Sequence, residues 1–500
     1  MAWARPSRRS TPGRLRDTLL VRASAALLPL MMAGCGGNVG GGTAGPPPTS
    51  GFSSIAIEPD TLTLSAVGEA RDLEAVARTS GGGVVPGISF TWSSSNSSVA
   101  TVDGEGVVTA VSNGTAAIEA VASGITGRAN VAVRAGDLEW LEIRAGGING
   151  CGVTSHGTAY CWGDDVHGQI GDGTTTDWRL MPVRVRAGLL YFHTLTIGGG
   201  HVCGLTSDGI AHCWGNTFFG EGGYGVSGEV EQTSPVAVSG GQRFSELRAS
   251  GSHTCGLTVS GAAWCWGVND HGQLGDGTTT NRDIPVAVVG GLTFRQIDAP
   301  RTPLDNHTCA VATDGAAWCW GTNFDGELGD GTTEHQLEPV AVAGGIAFDH
   351  VSAGGRHTCG MTPAGAAWCW GANGAGALGD GTALDRSAPT AVTGGIVFLS
   401  VSAGESHTCG LATGGTAYCW GANSEGQLGD GTNGSRAVPT PVSGGLSFVQ
   451  LEAGPVHTCG LTTAGVGYCW GRNTRGELGN GSQVPRNAPV ALPHPDEIGG

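Results

Sequence analysis

Basic side chains are scarce in this chain: Lys and Arg together supply 25 of 500 residues, against 42 Asp and Glu. The resulting formal charge of -17 excludes a general nucleic-acid binder, since an acidic surface repels the phosphate backbone. Long apolar runs are missing too. The run from Ala25 to Ala33 is too short to cross a bilayer as a helix. Long helices are disfavoured by what stands in their place, 91 Gly and 23 Pro, which suit short strands joined by tight turns.

What the chain has is a repeat. Fourteen of its 15 cysteines form seven pairs with one spacing. Cys151 goes with Cys161, Cys203 with Cys213, Cys255 with Cys265 and Cys309 with Cys319. Cys359 goes with Cys369, Cys409 with Cys419 and Cys459 with Cys469. Successive pairs lie 50 to 54 residues apart. A unit of that length that cannot bury its own apolar face points to a solenoid or a propeller.

The N-terminal segment reads as a signal. Arg5, Arg8, Arg9, Arg14, Arg16 and Arg22 precede the apolar run, which closes Leu30-Met31-Met32-Ala33-Gly34-Cys35. That ending resembles a bacterial lipobox, with Met32 where Leu is commonest. The resemblance implies a lipoprotein signal peptide over 1–34, a diacylglycerol on Cys35 and a membrane anchor. The expected address is the bacterial cell envelope, lipid-anchored at the outer membrane or cell surface, exposed or periplasmic; simple secretion is the alternative. Acyl chains contribute roughly 0.8 kcal/mol per buried methylene, enough for firm anchoring by a triacylated cysteine. Residues 35–51 form a flexible Gly/Pro linker without apolar periodicity.

Residues 52–135 alternate short β-rich runs with turn signals, a sandwich pattern. The stretches Ile88-Ser89-Phe90-Thr91-Trp92-Ser93-Ser94, Val99-Ala100-Thr101-Val102-Asp103 and Gly106-Val107-Val108-Thr109-Ala110 resemble the bacterial Ig-like group 2 domain. The resemblance implies a spacer or adhesive module, with Trp92 as the aromatic of the inter-sheet core.

In the third unit, strands are expected at Phe244, His253, Ala262 and Pro285, with Thr258-Val259-Ser260-Gly261 as a hairpin turn. Four strands per unit with Gly-rich corners is a blade pattern. A turn centred near Ser260 sets Cys255 opposite Cys265, Leu257 opposite Ala263 and His253 opposite Gly267. Opposed strand positions lie roughly 4.5 to 5.5 Å apart, within disulfide range. Trp264 and Trp266 then face the neighbouring blade. Zinc competes for these cysteines, but each unit offers only two cysteines and one histidine, and an exported chain matures under oxidising conditions. No metal or other cofactor is expected.

His201, His253, His307, His357, His407 and His457 precede each first cysteine by two residues, with Asn149 in the first unit. One residue repeated at one position suggests one structural task, here an imidazole hydrogen bond to a corner carbonyl. The Gly-Asp-Gly motifs at Asp172, Asp276, Asp330, Asp380 and Asp430, with Asn480 last, read as Asx turns rather than calcium loops. The run Ala-Gly-x-x-His-Thr-Cys-Gly-Leu, Cys-Trp-Gly-x-Asn, Gly-x-Leu-Gly-Asp-Gly-Thr resembles the repeat of the regulator of chromosome condensation family. The resemblance covers about residues 138–492 and implies an all-β protein, a seven-bladed β-propeller behind the N-terminal Ig-like β-sandwich. The fold hosts unrelated functions, so the founder's nucleotide-exchange activity does not carry over.

The first unit lacks the Pro-Val-Ala-Val strand that precedes every later one, and the chain ends with Pro489-Val490-Ala491-Leu492. The expectation is that this last strand completes the first blade and closes the ring. Candidate contact residues lie where units differ: Trp178; Phe218, Phe219 and Tyr224; and Arg301 in the extra loop Pro300 to Asn306. The expected function is a surface-anchored, non-enzymatic binding or adhesion protein that recognises an extracellular protein or glycan through propeller loops. A secreted-enzyme inhibitor or a propeller enzyme (lyase or hydrolase) is the alternative. For an enzyme, Asp164, Asp165, His156 and His167 are the nearest to a cluster.

Overall fold

Glycine-punctuated runs of five or six residues can only build short strands, and the computed structural model is composed of them. It describes residues 51–64, 67–133, 139–187, 190–228, 231–302 and 307–498. The signal region, Cys35, the linker and residues 303–306 of the extra loop lie outside the described residues. The chain divides into two units, 1–135 and 136–500.

In the first unit, Thr61–Leu64, Ile125–Val133, Gly114–Ala122 and Thr91–Ser94 form one sheet. Smaller three-stranded sheets accompany it, and Leu64, Val108, Ile118, Ala120, Ala129 and Val131 share one buried core. Trp92 is not at the centre of this core. It is only partly buried and packs over Gly106, where a Cβ would come within 2.8 Å of its ring. The long hairpin of Gly114–Ala122 and Ile125–Val133 already supplies enough aliphatic side chains to close the middle.

Among the described residues, the second unit contains seven four-stranded antiparallel sheets, each contiguous in sequence. The third is Phe244–Ala249, His253–Thr258, Ala263–Gly267 and Arg282–Ala287. Its register sets Cys255 against Cys265, Leu257 against Ala263 and His253 against Gly267. Gly261 closes the hairpin at φ +81°.

Every second-strand cysteine is bridged to the third-strand cysteine of its own sheet. The bridges join Cys151 to Cys161, Cys203 to Cys213, Cys255 to Cys265 and Cys309 to Cys319. They also join Cys359 to Cys369, Cys409 to Cys419 and Cys459 to Cys469. Their Cα atoms are 4.0 to 4.1 Å apart, closer than opposed strand positions usually stand, because the bridge draws the two strands together. A bridge closing a loop of this length contributes at most about 3 kcal/mol, because the hairpin already brings its ends near one another.

The ring does not close by exchanging a strand. The first sheet has its own fourth strand, Trp178–Arg184, and Arg486–Ala491 stays beside Gly467–Gly471 in the seventh. The outermost strand of every unit follows its Cys-Trp-Gly strand, so Met181-Pro182-Val183-Arg184 is the first unit's version and nothing is left over at the end. Closure comes from side chains and from one backbone bond, Gly481 N to the Leu180 carbonyl (2.8 Å). Ile143 donates its N–H to Gln450 Oε1 (3.1 Å), Gln450 Nε2 donates to the Ile143 carbonyl (2.9 Å), and Leu492 is buried with Ile143, Trp162 and Leu478. A buried Leu→Ala change costs about 2–5 kcal/mol. Leu492→Ala should therefore lower the melting temperature by about 3 °C or more, since 1 kcal/mol moves Tm by somewhat over 1 °C in a domain of this size. An unchanged Tm would show that this seam is not held there.

Candidate functional site

The seams between sheets repeat one set of contacts. Alternation along the third strand points Cys265 to one face and Trp266 to the other. Trp266 lies with Cys203, Cys213, Phe244 and Leu247, so each tryptophan packs on the bridged face of the preceding sheet. In the same way Trp370 covers Cys309 and Cys319, Trp420 covers Cys359 and Cys369, and Trp470 covers Cys409 and Cys419. At the closing seam Trp162 of the first sheet covers Cys459 and Cys469; at the remaining seams Trp214 covers Cys151 and Cys161, and Trp320 covers Cys255 and Cys265. All fourteen of these cysteines are fully buried, which makes them packing elements and leaves none of them open to a ligand.

The Trp266 indole N–H donates to the Glu221 carbonyl of the preceding sheet's loop (2.8 Å). The same bond joins Trp162 to Glu477, Trp214 to Gln169, Trp320 to Gln273, Trp370 to Glu327, Trp420 to Ala377 and Trp470 to Gln427, all at 2.9 to 3.0 Å.

The histidines belong to this seam. His201 Nε2 lies 2.8 Å from Thr254 Oγ1, and Thr254 donates its single proton to the Glu221 carbonyl at 3.0 Å. His201 must therefore be the donor, in the neutral Nε2–H form. His307, His357 and His407 repeat the arrangement with Thr358, Thr408 and Thr458, and His253 with Thr308. The expected carbonyl partner is found at the closing seam, where His457 meets the Asn149 carbonyl at 3.2 Å. Burial holds the imidazoles of His201, His357 and His457 down to about 4, and those of His307 and His407 to about 3.

The innermost strands have a free edge toward the ring axis, whose N–H groups need acceptors. Side chains of the preceding sheet supply them. Ala249 N donates to Thr196 Oγ1 (2.8 Å), Ala353 N to Asp298 Oδ2 (3.0 Å), Ala403 N to Ser352 Oγ (3.0 Å) and Ala453 N to Ser402 Oγ (2.9 Å). Charges also gather here: Arg144 pairs with Glu142 and Glu452, and Arg248 with Glu246 and Asp298. Arg301 completes the group, with Nη2 3.1 Å from Glu452 of the seventh sheet. Its loop is bound to two further sheets, because Gly251 N donates to the Pro300 carbonyl (2.9 Å) and Gly147 N to the Arg301 carbonyl (3.2 Å). Pro300 and Arg301, at the described start of the extra loop, thus tie the first, third and seventh sheets together. Arg301 is buried and corrects the expectation of an exposed contact residue.

Loops from third to fourth strands leave at the same end as Pro300 and Arg301. In the third sheet, Asn269 Oδ1 accepts the Leu274 N–H (3.0 Å), and Asn269 Nδ2 donates to Asp276 Oδ1 (3.0 Å) and the Thr278 carbonyl (3.0 Å). Asp276 in turn caps Thr278 N (3.0 Å) and pairs with Arg282 (2.7 Å). Burial alone would raise the Asp276 carboxyl; hydrogen bonds from Thr278 and Arg282 hold it below its ordinary value. The Gly-Asp-Gly aspartates are therefore turn anchors. Among the described residues, no group of three or more His, Cys, Asp or Glu is gathered to hold a metal.

Tyr224 occupies the aspartate position of the second loop, where Gly222 replaces the buried leucine of the others. Its ring folds into the space a leucine would fill, so that a Cβ on Gly222 would collide with it. Tyr224 is thus turned inward against Trp266 rather than outward to a partner, and burial raises its phenol. Phe218 (46 % exposed), Phe219 (45 %) and Trp178 (37 %) remain accessible. Phe324, missed in the sequence because it sits in a regular unit, is 55 % exposed at the tip of the fourth loop.

The first-unit cluster does not assemble. His156 lies in the hairpin turn at the opposite end of the sheet from Asp164 and Asp165. Asp164 is held by Arg475 (2.8 Å) and Gln169 (2.9 Å), and His167 turns to Glu231 (3.1 Å). Asp165 takes the usual asparagine position and accepts the Ile170 N–H (3.1 Å). Burial raises both carboxyls.

A closed ring of four-stranded sheets, each locked to the next through one loop carbonyl, is a β-propeller of repeated hairpin units. The RCC1-like domain family matches residues 245–499, and the bacterial Ig-like domain (group 2) matches residues 52–133. The chain belongs to the RCC1-like domain family and carries a bacterial Ig-like domain ahead of the propeller. It is 32% identical over 204 residues to the ultraviolet-B receptor UVR8 of Arabidopsis thaliana, covering 40% of this chain and 45% of that one. It is 29% identical over 207 residues to the E3 ubiquitin-protein ligase HERC2 of Homo sapiens, covering 41% of this chain and 4% of the ligase. The chain thus spans less than half the length of these relatives. Among solved structures, human WBSCR16 superposes with a TM-score of 0.61 at 19% identity, covering 68% of this chain and 95% of that one. Yeast RCC1 (Prp20), in its complex with Kap60, gives 0.60 at 18% identity, covering 72% and 86%. At these identities the likeness is one of fold.

The seam histidines make the propeller acid-sensitive in a defined window. Their folded values lie below the ordinary 6.5, so the unfolded chain takes up protons first. Stability is full above pH 6.5 and falls as pH drops toward 4, by about 1.4 kcal/mol per pH unit for each histidine. Melting between pH 8 and 4.5 should show this loss, and His357→Asn, which imports the first unit's residue, should flatten the slope. A slope unchanged in the variant would refute the assignment.

Proposed function

We propose that this chain is an envelope-anchored, non-enzymatic binding protein whose propeller recognises an extracellular protein or glycan through one arc of its loop end. The observation that carries this reading is an asymmetry among the loop tips. The two residues after the asparagine position are Phe218 and Phe219 in the second loop (where Thr217 takes that position), Asp270 and His271 in the third, and Phe324 and Asp325 in the fourth. They are Gly374 and Ala375 in the fifth, and Ser424 and Glu425 in the sixth. Each tip leans onto the next sheet, as Gly220 does on Asp283 and Gly272 on Leu337, so the second, third and fourth tips follow one another around the rim, with His271 between the two phenylalanine tips. Phe218 and Phe219 pack edge to face at 4.7 Å, which presents a preformed apolar surface.

Two further features support the reading. Arg301 and Pro300 are committed to bonds between sheets, and the acidic residues of the first loop are committed to structural bonds, which favours recognition at the loop tips. The lipobox-like ending at Cys35 and the Gly/Pro linker suit display away from a membrane, with the Ig-like domain as a spacer. Relatives include an ultraviolet-B receptor and a ubiquitin-protein ligase, which accords with a fold whose function resides in grafted contact surfaces.

The test is affinity capture of envelope and extracellular partners with the wild-type propeller and a variant carrying Phe218→Ala, Phe219→Ala and Phe324→Ala. Truncating a central aromatic anchor costs about 2 kcal/mol or more, about thirtyfold in affinity. Partners recovered by the wild type should be lost from the variant while its melting temperature is kept. Equal recovery of every partner would end the rim reading, and a turnover removed by one acidic substitution would favour an enzyme.

A further inference from the structure

We propose that the Phe324 tip is an acid-released contact, latched by His335 at neutral pH and freed when that imidazole takes up a proton. This rests on the reading of the aromatic arc as the contact surface and supplies its regulation. At the start of each loop the asparagine-position N–H needs an acceptor from the loop's far end. In the third loop Asn269 N donates to Asn281 Oδ1 (2.8 Å), and in the fifth Asn373 N donates to Asp385 Oδ1 (2.6 Å). In the fourth, Asn323 N donates to His335 Nδ1 (2.9 Å). An amide oxygen accepts at every pH and a carboxylate accepts down to strongly acidic pH. An imidazole stops accepting in the mildly acidic range, because its second proton occupies the nitrogen that was the acceptor.

The consequence falls on the exposed aromatic next in sequence. Phe324 stands edge-on to His335 at 4.4 Å and to His271 at 5.9 Å, and the two imidazoles lie 4.9 Å apart. His271 reaches across from the third loop, and Glu334 is the acidic neighbour of His335. Asp325 faces away from the pair toward Arg356 (3.2 Å). Burial and His271 oppose protonation while Glu334 favours it, with a net lowering of the His335 imidazole. When the proton does bind, two N–H groups point at each other, the second histidine adds repulsion, and the Asn323 N–H loses its acceptor, so that Asn323 is held only through its side chain, which donates to the Thr332 (3.2 Å) and Glu334 (3.1 Å) carbonyls. The bonds of the tip itself, Phe324 N and Asp325 N to Glu327, lie within its own turn and do not tie Phe324 to the loop's far end. Metal capture by the two imidazoles does not fit, because a metal on Nε2 requires the proton on Nδ1, which here is the acceptor.

The experiment is amide hydrogen exchange of the full chain at pH 7.5 and pH 4.5, expressed as protection relative to the intrinsic rate. Protection of the Asn323 amide should fall at least fivefold in acid. The Asn269 amide, whose acceptor does not titrate, serves as the internal reference and should change less than twofold. His335→Asn, which imports the third loop's acceptor, should make Asn323 behave like Asn269. Equal protection of Asn323 at both pH values, parallel loss at Asn269, or an undiminished acid response in His335→Asn would each overturn the latch. Because the readout is an amide and not a partner, it stands apart from the fate of the rim reading.

Discussion

One loop carbonyl per seam organises this propeller. It accepts the indole N–H of the next sheet's tryptophan, and, at the seams it shares with a threonine, the hydroxyl proton as well. That use of both lone pairs fixes the threonine as an acceptor for the histidine and so fixes the histidine's tautomer. The indole ring lies buried on the preceding disulfide, and the hydrogen bonds orient that apolar contact. A buried carbonyl left without these donors would cost about 1–3 kcal/mol. Removing any one member therefore weakens the others, a coupling that the sevenfold repeat spreads around the ring.

The disulfides and glycines serve the same packing. Small residues in the second strand let the first-strand phenylalanine lie flat on the sheet: a Cβ on Gly256 would meet the Phe244 ring at 2.6 Å, and on Gly410 the Phe398 ring at 2.5 Å. The bridge flattens the opposite face to receive the next tryptophan. Strand edges toward the axis are finished by side chains rather than by further strands, which explains why Thr, Ser, Gln and acidic residues alternate there with buried Leu and Ile.

Much of this was legible in the repeats. The hairpin turn at Gly261 and the period of two fixed the cysteine register, and the constant spacing fixed the architecture. What was hidden depends on contacts between units. The histidine partner is a threonine about fifty residues downstream, and no local pattern names it. Arg301 looked like a variable surface residue, yet its charge answers Glu452 from the far side of the ring. Tyr224 has the look of an anchor, yet the leucine lost two positions earlier, at Gly222, leaves an interior space that its ring fills. Phe324 was overlooked because its unit is regular. The supposed closing strand arose from assigning Pro-Val-Ala-Val to the unit after it instead of the unit before.

Departures from the repeat are thus of two kinds, compensated inside the fold at Tyr224, Asp165 and Arg301, and left exposed at the loop tip at Phe218 and Phe219, while Phe324 is an exposed aromatic on a regular loop. The central claim is that seven tryptophans are held in equivalent seams of one cooperative ring, and hydrogen exchange of the indole N–H groups tests it most directly. Trp162, Trp214, Trp266, Trp320, Trp370, Trp420 and Trp470 should exchange together and slowly, through global unfolding of the propeller, while the exposed Trp178 exchanges freely. Seven scattered rates, or a seam set as fast as Trp178, would contradict the account.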